Sequence, residues 1–248
     1  MPATGGITFN AKIGDRCVGR AADHLEPGVT ARNENDEYNA ALSSLSCIGN
    51  VAIVRSGDAK GAKGFVTGKH GGCEHLLCYF DDETMEKMTI GDTIDVRSQG
   101  QGMKLLDYPE ILLRNMSPEL LDKMNITEEN GKLKVGVAKI VPAAIMGSGL
   151  GASTSYFGDY DITLHDKAIT QQYGLQDLRF GDIVAIQDAD TRFGRNYLTG
   201  AVTIGVVVHS DCILAGHGPG VTTLMTCKTP LIEAVIDEHA NLADYFVK

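Results

Sequence analysis

At 248 residues, with 43% hydrophobic and 22% charged residues, the chain has the composition of a globular protein with enough length for one large core or two small ones. A formal net charge of -10 and a pI near 5.1 argue against a broad phosphate-binding face, so neither nucleic acid nor anionic lipid is an expected partner. No apolar run approaches the ~20 residues of a membrane span. Met1-Pro2-Ala3-Thr4-Gly5-Gly6 has no basic-then-apolar leader pattern. Six irregularly spaced cysteines do not form a disulfide framework, so a cytoplasmic protein with reduced thiols is expected.

Twenty-nine glycines set beside Val, Ile and Thr runs predict many short strands joined by tight turns. In chain order, a helical pattern covers Asp36 to Leu45. Strands follow near Val51–Val54, Gly64–Val66, Leu76–Phe80 and Thr93–Arg97. Ser117-Pro118-Glu119 then opens a short helix, with a hydroxyl cap, a first-turn proline and an acid at the positive dipole end. The polar segment Asn125 to Gly131 is the candidate boundary between residues 1–125, with a small barrel-like segment, and 126–248; the two halves are alternatively one intertwined domain. Further strands fall at Leu133–Pro142, Ile183–Gln187, Val202–Val208 and Val221–Cys227, with a helix near Ala168–Leu175. Thr229-Pro230 opens a longer terminal helix with Leu231, Ile232, Val235, Ile236, Leu242 and Tyr245 on one stripe. The expected fold is a β-dominated α+β arrangement, with small β-barrel or sandwich elements and a few peripheral helices. Ile90-Gly91-Asp92 and Phe180-Gly181-Asp182 echo one another, each setting a Gly-Asp turn before a strand.

Phe180 to Gly220 carries the densest run of Asp and His. Asp188-x-Asp190 and His209-x-Asp211 each put two ligands on one strand face, and His217 completes a nitrogen and oxygen set suited to a divalent metal or to acid-base work. In an antiparallel hairpin, however, Asp188 falls near Gly200 and His209 near Gly181, about 20 Å apart at ~3.3 Å per residue. One ion cannot bridge that span. The catalytic grouping is therefore Asp182 with His209 and Asp211. Asp188 and Asp190 go with the loop Thr191 to Thr199 and, like His217, are candidate metal ligands. The alternative is solvated turn acids and a surface histidine.

Arg192 and Arg195 would grip a carboxylate or phosphate, or else pair locally with the aspartates. Gly147-Ser148-Gly149-Leu150-Gly151-Ala152 lacks the following helix that a dinucleotide site needs, but amides at Ser148 and Gly149 would suit a small anion. Lys69-His70-Gly71-Gly72-Cys73-Glu74-His75 gathers two histidines, a thiol and an acid; Cys73 and Cys78 have no second pair for structural zinc, and a Cys73–His75 nucleophile pair shows no orienting partner.

Gly57 to Lys69 resembles the KOW motif of ribosomal proteins and elongation factors, which implies RNA contact through Lys60, Lys63 and Lys69; a tight barrel turn explains the same residues. The run Phe180 to Thr226, with Ala143 to Gly151, resembles the prokaryotic family called domain of unknown function 4438, over nearly the whole chain. That resemblance implies no reaction and transfers no catalytic residue. A shorter segment is similar to the metal-dependent, β-rich acetamidase/formamidase family: Gly181, Asp182 and Ala185 match, while Val184 stands in place of a histidine and Thr191 in place of a glutamate.

Together these features lead to the expectation of a cytoplasmic metabolic enzyme for a small polar or anionic substrate. His209 would be its acid-base group, Asp182 or Asp211 would orient it or bind metal, and metal-assisted hydrolysis is the first reaction class. The alternatives are a metabolite-binding or assembly module and an RNA-contacting barrel. A homo-oligomer is plausible for an acidic metabolic protein of this size, although no residue pattern demonstrates one.

Overall fold

Three sheets carry the chain in the computed structural model, which describes residues 3–148 and 154–247. The first is built from β1 (Ile7–Thr8), β2 (Gly28–Ala31), β3 (Val51–Val54), β4 (Lys63–His70), β5 (His75–Tyr79) and β6 (Ile94–Val96), in the order β1-β2-β5-β4-β3-β6. It curls without closing into a barrel, so that β1, β2 and β6 line one groove of about 630 Å3. The second holds β7 (Leu112–Leu113), β10 (Lys139–Pro142), β11 (Ile183–Asp190), β12 (Asn196–Val207) and β13 (Val221–Cys227), in the order β10-β11-β12-β13-β7. The third is β8 (Ile126–Glu129), β9 (Lys132–Val137) and β14 (Ile232–Ile236), in the order β14-β9-β8. This is the β-dominated fold with few helices that the composition implies.

The helices sit where their caps place them. In α1 (Asp36–Leu45) the Asn35 side chain accepts from Tyr38 N at 3.0 Å. In α2 (Asp82–Lys87) Asp81 accepts from Thr84 N at 2.8 Å. Ser117 accepts from Leu120 N at 3.1 Å at the start of α3 (Pro118–Lys123), with proline in the first turn. α4 (Lys167–Gln172) follows Asp166, and α5 (Leu242–Phe246) follows Asn241.

Three local expectations change. The helix read from Thr229-Pro230 is instead β14, paired in parallel with β9 from Ile232↔Leu133 to Ile236↔Val137. Only α5 at its far end is helical. β14 is an edge strand with Val235 and Ile236 exposed, so its apolar residues do not alternate and mimic a helical stripe. The run Leu133–Pro142 breaks at Ala138 into β9 and β10, which serve different sheets. The polar segment Asn125 to Gly131 forms β8 and a hairpin turn, with Asn130 at φ 52 and Gly131 at φ 73, as an Asn-Gly pair permits. The Gly-Asp echo is shared turn chemistry: Gly91 and Gly181 have positive φ, and Asp92 and Asp182 accept from the amides of Thr89 and Arg179 at 2.9 and 2.8 Å.

One apolar core takes residues from both halves, including Ile13, Phe80, Leu120, Ile204 and Leu242. Inside the fold lies a lysine. Lys69 is fully buried on β4, where its ammonium donates to Asn115 Oδ1 at 2.7 Å and to the Tyr156 carbonyl at 2.8 Å. Of the basic island Lys60, Lys63 and Lys69, only the first two reach the surface. Burial without a neighbouring carboxylate lowers the Lys69 pKa from 10.5 to about 7. Between those values the unfolded chain holds a proton that the folded one lacks, so folding stability rises with pH by up to about 1.4 kcal/mol per unit. Lys69→Met should flatten that slope in urea unfolding compared at pH about 7.5 and about 9.5; equal slopes in the two proteins would refute a neutral buried amine.

A buried histidine and carboxylate cluster as candidate metal centre

Four segments remote in sequence meet beside the first and second sheets. They are the loop entering β2 (Asp23 to Glu26), the β4–β5 turn (His70 to His75), the irregular stretch Asp159 to Asp161, and the chain beyond β12 (His209 to Gly220). Polar bonds hold them in register. Ser210 Oγ accepts from Leu25 N at 2.8 Å and Ser210 N donates to the Leu25 carbonyl at 3.0 Å, setting the β2 loop against His209. Gly71 N donates to Asp159 Oδ1 at 2.8 Å, and Val221 N to the Tyr160 carbonyl at 3.0 Å. Five of the seven histidines (His24, His70, His75, His209 and His217) gather here, with His70 and His209 rings 4.2 Å apart and His24 within 5.7 Å of His70, His209 and His217.

The tautomers follow from the partners. His209 Nδ1 lies 2.9 Å from the Ser210 carbonyl, which only accepts, so Nδ1 carries a proton. His70 Nδ1 donates to Glu26 Oε1 at 2.5 Å, and His75 Nδ1 to the same oxygen at 2.9 Å. Glu26 is itself buried and held by Thr30 Oγ1 and Gly5 N, both at 2.6 Å. Burial would raise its pKa, yet the two imidazoles and Thr30 drive it well below the usual carboxylate range.

The remaining atoms of His209 and Asp159 are the unusual ones. His209 Nε2 and Asp159 Oδ2 lie 2.7 Å apart as a fully enclosed ion pair, and among the described residues neither atom has a hydrogen-bond partner outside that pair. A Cβ on Gly220 would collide with both, so only glycine leaves them room. Ligand atoms sharing one cation lie about 3–3.4 Å apart at metal–ligand distances near 2.1 Å, so a small opening of this pair would let both bind one ion. His70 is the third member: His70, Asp159 and His209 have ligand atoms within 4.8 Å of one another. Burial lowers the pKa of His209 and raises that of Asp159, but their mutual attraction overrides it and moves both the other way. Cys73 is no nucleophile here: burial and the Glu26 charge push its thiol up to about 12.

The residues read from sequence separate into several places. His209 and His217 join the cluster, linked through His24 and Asp161. The expected grouping of Asp182 and Asp211 on His209 is not formed. The Asp182 carboxylate is committed to Arg179 and Asn241, at 3.0 and 2.8 Å, because the Gly181 turn aims it at the chain leading into α5. Asp211 accepts from Gly19 N at 2.6 Å and so ties the N-terminal excursion to the loop carrying His217. Asp188 lies beside Gly200 as the hairpin demands, accepting its amide at 2.7 Å. Asp190 is bidentate with Arg192, so it has no free oxygen for an ion beside His217. Arg195 donates to the carbonyls of Met146 and Gly147, and Ser148 N to that of Gly216. Gly149 lies outside the described residues. The sequence run Lys69 to His75 held His70, but spacing did not reveal Glu26, His24, Asp159 or Asp161 as ligands; their local traces are His24-x-Glu26 and Asp159-x-Asp161.

Two family models match the chain end to end: domain of unknown function (DUF4438), N-terminal, over residues 1–122, and domain of unknown function (DUF4438), C-terminal, over residues 123–246. The solved structure of TM1086 is similar over 99% of this chain and 86% of its own, at 50% identity and a TM-score of 0.94. No curated protein matches the chain. None of these descriptions states an activity, so roles rest on geometry.

Geometry separates Asp182 from the cluster. Asp182→Ala would leave Asn241 and Arg179 without their buried partner and should lower stability by about 2–4 kcal/mol. It should leave the imidazole NMR signals of the five clustered histidines in place. Shifted histidine signals at unchanged stability would return Asp182 to the site.

Proposed function

The chain belongs to the domain of unknown function 4438 family, and from the cluster described above we propose that it is a metal-dependent hydrolase of small polar substrates. The observation that carries this reading is the enclosed pair His209 Nε2 and Asp159 Oδ2, which among the described residues have no hydrogen-bond partner beyond each other. His70, His209 and Asp159 form a set of two imidazoles and one carboxylate, which suits a divalent transition ion such as zinc or manganese. Both imidazoles pass their second nitrogen's proton to an acceptor, Glu26 or the Ser210 carbonyl, the arrangement that fixes a metal-binding tautomer.

An ion there would polarise a substrate carbonyl and acidify bound water. In the hydrolysis, water oxygen bonds to the carbonyl carbon, the bond to the amine or alcohol breaks, and the proton released by water ends on that leaving group. Substrate would enter past the half-exposed His24 and His217. The enzyme reading gains over an anion-binding module because Arg192 and Arg195 are already occupied by protein oxygens. It gains over RNA contact because Lys69 is interior. No helix among the described residues is long and apolar enough to cross a membrane. Six unpaired cysteines fit a reducing cytoplasmic setting, which is part of this reading.

Purified protein should carry a divalent transition ion by plasma mass spectrometry. After chelation, zinc at a hundredfold excess over its Kd should restore about 2.7 kcal/mol of stability, a thermal shift of several degrees. His209→Ala should lose the ion, and Glu26→Gln should weaken it by roughly 10–100-fold. A metal-free wild type that zinc and manganese both fail to stabilise contradicts the proposal.

A further inference from the structure

Beside the enclosed position lies a second set of ligand atoms that the single-ion reading does not use. His24 Nε2 and His217 Nδ1 are 3.3 Å apart, and Asp161 Oδ2 is 3.2 Å from His217 Nδ1. The other oxygen of the same carboxylate, Oδ1, faces the first position, 3.7 Å from His209 Nε2. Ligand atoms of His24, Asp161 and His217 all lie within 4.8 Å of one another. We infer that Asp161 bridges two divalent ions, the inner one on His70, Asp159 and His209 and the outer one on His24, Asp161 and His217. The inference rests on the metal reading of the inner site and deepens it.

Three features support this division. The first is that a carboxylate with its oxygens directed to two imidazole groups has the disposition of a bridge, and paired catalytic ions stand about 3.5–4 Å apart. Asp161 is held in that orientation by its own strand segment: Ile162 N donates to the Pro219 carbonyl at 2.9 Å, and Gly218 N to Asp161 Oδ2 at 3.3 Å. The second is that His24 sits at φ 47, a left-handed conformation that costs a non-glycine residue, and it brings the ring among three other imidazoles. The third is exposure: the His209 side chain is fully enclosed, whereas that of His217 is 39% exposed. The inner ion would be held tightly and the outer one would exchange and meet substrate. Two ions so placed would act on both the attacking water oxygen and the departing oxygen or nitrogen of a hydrolysed ester or amide.

The test is ion stoichiometry on the full chain. After chelation, the wild type is titrated with Mn2+ and followed by calorimetry and electron paramagnetic resonance. Two ions per chain are expected, with the spectrum of an exchange-coupled pair. His217→Ala should retain one ion, with the coupled signal replaced by that of an isolated Mn2+. Asp161→Asn should likewise lose the coupling, so a single misfolded variant does not decide the matter; circular dichroism checks each fold. One ion in the wild type, unchanged by His217→Ala, overturns the bridged pair while leaving the inner site standing. No bound ion at all overturns both.

Discussion

One histidine nitrogen and one carboxylate oxygen sealed inside the protein set the terms for everything around them. His209 Nε2 and Asp159 Oδ2 lie 2.7 Å apart against Gly220, whose lack of a Cβ leaves them room. Enclosing an imidazole and a carboxylate costs several kcal/mol of desolvation, which their mutual attraction offsets only in part. A fold retains such a cost where the groups have a use. The rest of the architecture can be understood as holding these two atoms, and the imidazoles near them, in place.

That holding is distributed over the whole chain, which is why the two family segments form one core. β4 and β5 from the first half bring His70 and His75, with Glu26 aligning both rings. β12 and β13 from the second half bring His209 and the glycine turn opposite it. The residues before β2 cross between them, latched by Ser210 on one side and Asp211 on the other. Much of the polar chemistry that looked functional in the sequence is this latching. Asp182 secures the approach to α5 through Asn241, and Asp190 closes a turn with Arg192. Charged groups buried for structural reasons and charged groups kept for chemistry look alike until their partners are known.

The fold was largely legible because its signals are local. Gly-rich turns between β-branched runs marked nearly every long strand, and the cap at Ser117 marked the start of α3. β14 was misread for a physical reason: on an edge strand both faces carry apolar residues, and Ile232, Val235 and Ile236 then satisfy helical spacing as well as strand pairing. The site was only half legible. His209 and His217 lie close together on one loop, so a local reading finds them. Glu26, His70 and Asp159 are each separated by dozens of residues and are joined through irregular segments, and no spacing rule reaches across such loops. The geometric objection to a single ion on both hairpin ends was sound, and it is the segment Asp159 to Asp161 that supplies the missing carboxylates.

The central claim is that a cation, rather than a proton alone, joins His209 and Asp159. Anomalous diffraction from crystals of the ion-loaded protein, collected on either side of the absorption edge of the added metal, locates that cation directly. The account predicts a peak at about 2.0–2.2 Å from His209 Nε2, His70 Nε2 and an Asp159 oxygen. A map with no peak there, and with Nε2 turned to donate straight into the Asp159 carboxylate, would contradict it.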